Sequence, residues 1–259
     1  MGTQMGALDF RCSIRFGNGG FPVTRPSNAR ENRFGSSING LSQRSARIAG
    51  VLFIAATAST MAAQVLLEPV LDPVLEVVSP VSDPSTQIIA LAVVLEGINA
   101  LASAGIAIAL YPVLRRCAEI AAAGYLGLRI VEGSVGIVAA AALAVIVLAG
   151  AGDTGFALGL HDAAFLMVLL VFSCSTLLLY PVLFLHRLVP PVLSLWGLIG
   201  GMMLLVACVL ILFGQINAGG TTDLILSLPI WVNEMVLALW LLIRGFDLSQ
   251  VELGQRHAA

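Results

Sequence analysis

An apolar run from Ala118 to Gly150 carries an arginine and a glutamate near its middle, in Gly124-Tyr125-Leu126-Gly127-Leu128-Arg129-Ile130-Val131-Glu132-Gly133. A helix over this run is long enough to cross a bilayer core of about 30 Å at about 1.5 Å per residue. Each charge near the centre of a span costs roughly 2.5–3.5 kcal/mol, so the pair costs about 5–7 kcal/mol. The surrounding alanines and glycines return little of that. Such a helix inserts poorly alone and needs polar partners on neighbouring spans.

The rest of the chain supplies those spans. Of its 259 residues, 58% are hydrophobic and 11% are charged, against roughly 25% charged in soluble domains. The mean hydropathy is +0.97. Apolar segments at about 46–67, 86–111, 118–150, 159–185, 192–213 and 224–243 predict an all-α, polytopic bundle of six transmembrane helices within residues 45–246. Residues 1–44 are polar, show no helical or strand period and hold Arg11, Arg15, Arg25, Arg30, Arg33 and Arg44; they read as a disordered basic tail. Residues 247–259 read as a second, shorter tail. The first apolar segment is too long, and its polar lead too long, for a cleaved secretory signal, so it reads as a retained span.

Glu68, Asp72 and Glu76 follow span one at i, i+4 and i+8. On a helix they form one acidic stripe, which suits a short helix in the membrane surface or a cation lure at a pore mouth. Pro73 weakens that helix and favours an interfacial loop. Pro112 to Arg116 reads as the turn between spans two and three, and Pro190-Pro191 as the turn before span five. Arginines fall in the N-terminal tail, after span two (Arg115, Arg116), after span four (Arg187) and after span six (Arg244, Arg256). The alternate loops carry only acids: Glu68, Asp72, Glu76, Asp83, Asp153 and Asp223. By the positive-inside rule both termini are cytoplasmic, in an inner or plasma membrane. Leu110-Tyr111-Pro112-Val113-Leu114 recurs as Leu179-Tyr180-Pro181-Val182-Leu183. The echo fits either a repeat of helical hairpins or two similar membrane-edge signals.

Depth along the spans brings the intramembrane charges together. Glu96 lies about ten residues below the outer end of span two, Arg129 about eleven above the inner start of span three, and Glu234 about ten below the outer end of span six, all near mid-membrane. Arg129 with Glu132, and Glu96 with Asn99, are i, i+3 pairs that share a helix face. Lipid-facing charges are costly, so Glu96, Asn99, Arg129, Glu132, Asn233 and Glu234 are expected to meet in a polar centre formed by spans two, three and six. Arginine stays protonated and neutralises one carboxylate, or two through its planar fork. At least one carboxylate is left over, to be protonated, bind a cation or face water. Ser173, Ser175 and Thr176 in span four are weaker candidates, able to line the same cavity or to bond their own helix carbonyls. His161 and Asp162, at the mouth of span four, are weaker candidates too. Gly197 with Gly201, and Gly155 with Gly159, have the spacing of close helix packing. Trp196, Trp231 and Trp240 read as interfacial aromatics.

Several chemistries lack their residues. Cys12, Cys117, Cys174 and Cys208 have no metal-ligand spacing, and His161, His186 and His257 do not pair, so neither a metal site nor a disulfide framework is expected. There is no serine elbow, phosphate loop or dinucleotide fingerprint, and no cofactor is expected. All 13 basic side chains other than histidine are arginine and net charge is −2; nucleic acid is not an expected partner. The lipid bilayer is, together with a small solute or ion.

Arg47 to Phe53, Leu110 to Arg116, the Gly127-x-Arg129-x-x-Glu132 signature, Leu188 to Gly200, and Leu228-Pro229-Ile230 with Asn233-Glu234 and the closing Gly245-Phe246 occur in order. Together they resemble the bacterial membrane family catalogued as domain of unknown function 4386. The resemblance implies a six-helix bacterial inner-membrane protein whose polar signature is Glu96, Arg129, Glu132, Asn233 and Glu234, with no role assigned. Three functions remain open at this point. They are a proton- or cation-linked small-solute transporter, a structural, assembly or sensing protein in which the cluster only locks packing, and a membrane-embedded enzyme.

Overall fold

A computed structural model of the chain describes residues 28–74, 84–149 and 154–247, with side chains at 42–68, 86–148 and 154–247. The chain divides into two compact units, Met1–Ser36 and Ser37–Ala259. All six apolar spans belong to the second. The helices are α1 (Asn28–Val74), α2 (Pro84–Cys117), α3 (Glu119–Ala149), α4 (Thr154–Leu185), α5 (Pro191–Leu212) and α6 (Thr221–Ile243). Each contains a segment long and apolar enough to cross a membrane, and no strand occurs among the described residues.

The helix limits depart from the sequence reading in four places. Helix α1 starts at Asn28, inside the stretch read as tail, and continues through Pro69 and Pro73 to Val74, where a loop or separate surface helix was expected. A proline in the last turn forfeits one bond to the preceding turn without ending the helix at once. Glu76, Asp83, Asp153, Arg256, His257 and Cys12 lie outside the described residues. Helix α2 runs through Pro112 to Cys117, so the expected turn is helical. The reversal falls on Ala118 alone, flanked by bonds from Ala118 N–H to Leu114 O and from Ala122 N–H to Ala118 O, both 2.9 Å. Helix α4 begins at Thr154, not near 159, so His161 lies two turns inside it.

Consecutive helices pack antiparallel. Gly133 of α3 presses on Ala100 of α2, and Ser103 of α2 bonds Glu132 of α3. Gly124 faces Leu178 and Gly136 faces Val168 across α3 and α4. Gly197 and Gly201 of α5 receive the Tyr180 ring and Thr176 of α4, and Gly200 seats Ile230 of α6. Among the described residues, no atom beyond the local helix backbone comes within 4 Å of a methyl placed on Gly155 or Gly159. Helix α1 closes on α6, where Gly50 abuts the Ala238 carbonyl and Gln43 Nε2 donates to Phe246 O at 3.3 Å.

The ends of the bundle differ in charge. At one end, α4 stops in a turn that puts Arg187 at φ 50 and returns Leu188 N–H to Leu183 O at 3.1 Å. This is the 6→1 closure of a Schellman turn, made here without the usual glycine. Asp247 N–H then bonds Leu188 O, tying the end of α6 to the same turn. Arg44, Arg115, Arg116, Arg187 and Arg244 cluster at this arginine end. Glu68 and Asp223 mark the opposite, acidic end.

Two glycines on α3 test the packing. A methyl on Gly133 would lie 2.6 Å from the Ala100 carbonyl oxygen, whereas one on Gly127 meets nothing within 4 Å. Overpacking of that kind costs roughly 1–3 kcal/mol, while removing a mid-helix glycine gains about 1 kcal/mol. Gly133→Ala is expected to lower the melting temperature of the detergent-purified protein and Gly127→Ala to hold or raise it. Size-exclusion profiles after heating measure both.

Candidate functional site: a buried arginine between two glutamates

Arg129 is 2% exposed and stands near the middle of α3. Three of its nitrogens have partners. Nε–H donates to the Tyr125 hydroxyl at 3.2 Å, one turn earlier on the same helix. Nη1 donates to Glu132 Oε1 at 2.8 Å, and Nη2 lies 3.5 Å from Glu234 Oε1 on α6. Three rings enclose the guanidinium: Phe172 of α4 at 4.9 Å, Tyr125 at 5.6 Å and Phe53 of α1 at 5.8 Å from its carbon to the ring centre. Ring faces attract a cation most strongly where water is excluded. The arginine is therefore solvated by aromatic faces on some sides and by carboxylates on others.

The two glutamates are not equivalent. Glu132 Oε1 also accepts from the Ser103 hydroxyl of α2 at 2.8 Å, so it is doubly bonded. Its other oxygen is buried with no protein partner. Glu234 has the longer contact and a side chain 13% exposed. Both line a cavity of about 60 Å³ with Thr57, Asn99, Phe165 and Trp231. Space of that size takes roughly four water-sized probes.

Glu96 does not join Arg129. Its Oε1 lies 2.8 Å from Nε2 of His161 on α4, whose Nδ1 lies 3.0 Å from Asp162 Oδ1. Its Oε2 is buried without a protein partner, and Glu96 lines a smaller cavity of about 10 Å³ with Thr60, Gln64 and Asn99. Depth counting put Glu96 level with Arg129; with each helix centred, their Cα atoms lie about 14 Å apart along the membrane normal at about 1.5 Å per residue, and Glu96 turns toward α4. Asn99 lines both cavities. Asn233 is also separate from the arginine: it accepts from the Tyr180 hydroxyl at 2.6 Å and donates to Leu193 O at 3.0 Å, tying α6 to α4 and α5. Ser173, Ser175 and Thr176 bond the carbonyls of Leu169, Phe172 and Ser173 in their own helix and line neither cavity.

Four contributors escaped the sequence reading. Ser103 continues the Glu96–Asn99 face at i+7, and Tyr125 precedes Arg129 by four, so helical spacing carried a signal for both. Phe53 and Phe172 are indistinguishable in sequence from ordinary core phenylalanines. Trp231, read as interfacial, sits mid-helix in α6 and faces the cavity.

A family model described as Domain of unknown function (DUF4386) matches residues 48–245. The chain belongs to this family. No curated protein and no solved structure matches it. The family stretch holds all six spans except the first turns of α1, and both carboxylate sites lie inside it. Among the described residues no group of three or more His, Cys, Asp or Glu side chains is arranged to hold a metal ion. Cys117, Cys174 and Cys208 are free thiols.

The arginine has a specific energetic role. Removing one partner of a buried ion pair typically costs 3–5 kcal/mol, because the other charge is stranded. Arg129→Ala is expected to cut the folded yield severely. Adding Glu132→Gln should restore part of it, since the neutral amide keeps its bond to Ser103. Monodisperse yield and thermal midpoint in detergent report both outcomes.

Proposed function

We propose that this DUF4386 protein is a proton- or cation-linked transporter of a small solute, in a bacterial inner membrane with both termini in the cytoplasm. The observation that carries the reading is the arithmetic of charge around the central cavity. One permanent cation, Arg129, contacts two carboxylates, and the less tightly held of these, Glu234, lines the space. A site with surplus negative charge in a low-dielectric surrounding gains by taking up a proton or a cation. Occupancy of Glu234 then alters its attraction to Arg129, and with it the tie between α3 and α6. This is the kind of link a coupled transporter needs between its driving ion and its helix positions. The separation of arginines and acids to opposite ends supports the orientation.

A purely locking role has its own support in the Tyr180–Asn233–Leu193 tie, whose three residues line neither of the two cavities. The Arg129 cluster differs from it in having solvent-sized space beside an ionisable group. An enzyme reading called for a substrate cavity reaching the membrane surface at Asp162 or at the acidic loop after span one; Asp162 lines neither cavity, and Glu76 and Asp83 of that loop lie outside the described residues.

The test is flux in vesicles reconstituted with the full chain, containing a pH indicator and facing panels of amine, sugar, amino-acid and inorganic-ion solutes. At least one class is expected to move with a pH or cation gradient, and Glu234→Gln to reduce that flux tenfold or more at unchanged folded yield. Absence of gradient-dependent flux with every class, or a Glu234→Gln protein as active as the parent, overturns the reading.

A further inference from the structure

The central site uses Arg129, Glu132 and Glu234. A second ionisable group, made up of Asp162, His161 and Glu96, takes no part in it. We infer that these three residues form a proton relay connecting the acidic end of the bundle to the central cavity. The inference rests on the proton-linked form of the reading above and names the route by which the proton arrives.

The geometry is that of a bridge. The His161 side chain is 4% exposed and spans two carboxylates, with Asp162 Oδ1 at 3.0 Å on one ring nitrogen and Glu96 Oε1 at 2.8 Å on the other. The side chain of Asp162 is 75% exposed and that of Glu96 is 7% exposed, so the imidazole separates an outer acid from an inner one. Phe165 stacks on the ring at 6.1 Å between centres and 15° between planes. The groups around the histidine are few. Helix α4 contributes Asp162 and α2 contributes Glu96. The small cavity beyond is lined from α1 by Thr60 and Gln64 and from α3 by Gly136 and Ala139, none of which titrates.

From His161 inward the levels descend. With each helix centred on the bilayer, the Cα atoms of His161, its neighbour Asp162 and Glu96 lie about 13, 11 and 7 Å from the midplane on the acidic side, and Glu132 about 3 Å past it, at about 1.5 Å per residue; Asp162 is set apart from Glu96 by its exposure, not by its height. Helix α4 is about 48 Å long against a core of about 30 Å, which puts Asp162 within about one turn of the hydrocarbon edge.

Each transfer balances. A proton on the Asp162 carboxyl passes from Oδ1 to Nδ1 of a ring protonated at Nε2, and Nε2 releases its own proton to Glu96 Oε1. Asp162 is left a carboxylate, His161 neutral in the other tautomer and Glu96 a neutral acid. The relay resets when the ring swings off Glu96, gives its Nδ1 proton to water at the exposed Asp162 side and takes one from water on Nε2, so that one proton leaves the ring for each that enters. Glu96 lines the small cavity, and its second oxygen is buried and without a protein partner. That cavity has room for about one water. It shares Thr60, Asn99, Phe165 and Val168 with the central one, on which Glu132 and Glu234 lie. Glu132 Oε2 is likewise buried without a protein partner, so each of the two cavities is lined by a glutamate with one unpartnered oxygen.

The experiment is time-resolved infrared spectroscopy of the full chain in lipid nanodiscs after a light-triggered acid jump, with no solute added. The carboxyl band of the central site is assigned by its loss in Glu234→Gln or Glu132→Gln. His161→Gln is expected to slow the rise of that band at least tenfold, and Asp162→Asn several-fold. If His161→Gln fails to fold, Asp162→Asn, altered at an exposed side chain, and Glu96→Gln carry the comparison. Parental rates in the variants, or no central carboxyl change after the jump, overturn the relay. Intact relay kinetics without flux in the vesicle assay removes the transport reading and leaves the relay standing. Flux with parental kinetics in the variants removes the relay alone.

Discussion

A guanidinium in the middle of a bilayer keeps its charge, and five of the six helices are arranged around that fact. Arginine cannot shed its charge, as a lysine can by losing a proton and a glutamate by gaining one. Its solvation must come from protein. Here α3 supplies Tyr125 and Glu132, α6 supplies Glu234, α1 and α4 supply ring faces, and α2 reaches it through Ser103 and Glu132. No pair of these helices would meet all the needs of Arg129, so the group favours one arrangement of the set over others. Helix α5 stands outside the circle and is attached by different means: the Asn233 amide to Leu193 O, and the bare backbones of Gly197, Gly200 and Gly201. The bundle thus combines a charged centre, which selects neighbours, with small-residue seams, which let backbones approach.

What hydropathy resolves well in a sequence is position along the membrane normal. Six spans, the level of Arg129, Glu132 and Glu234, and the separation of arginines from acids all depend on that one coordinate. What hydropathy leaves open is rotation about each helix axis. Asn233 was placed at a suitable depth yet turns to Tyr180 and Leu193, because a span apolar on nearly every side gives little signal for which face is inward; Glu96 was missed in depth as well, since the real ends of α2 and α3 shift it about 14 Å from Arg129 along the normal. The polar residues themselves were the better guide. Glu96, Asn99 and Ser103 mark one face of α2, and Tyr125 and Arg129 mark one face of α3. The position of His161 was lost for a different reason. Setting the start of the fourth span near 159 made a residue two turns inside α4 look like a residue at its mouth. Prolines misled in the same direction at Pro112, since a helix in a bilayer has no competing water for its backbone groups and continues through a proline that would end it elsewhere.

The distribution of the carboxylates has a consequence for how the protein could work. A single arginine with a single glutamate is a closed pair, and nothing is gained by its changing state. Two glutamates on one arginine are different, because the pair that is better bonded frees the other. Glu132 holds both Ser103 and Arg129 and acts as the fixed partner; Glu234, at 3.5 Å and on another helix, is the adjustable one. A proton or cation taken up there weakens the contact between α3 and α6 without stranding the arginine, which keeps Glu132, Tyr125 and three ring faces. The destabilisation caused by changing the charge state is therefore confined to one helix–helix contact and need not unfold the centre.

That confinement also explains why a second ionisable group belongs one to two turns away and not in the same pocket. A third carboxylate beside Glu132 and Glu234 would add like-charge repulsion in a low-dielectric site and would favour protonation of whichever acid was least well bonded. Held instead by His161, Glu96 has a hydrogen-bond partner of its own, and Thr60 and Asn99 line both cavities. Like charges are thereby kept apart, and each set of carboxylates is satisfied by partners that the other does not use.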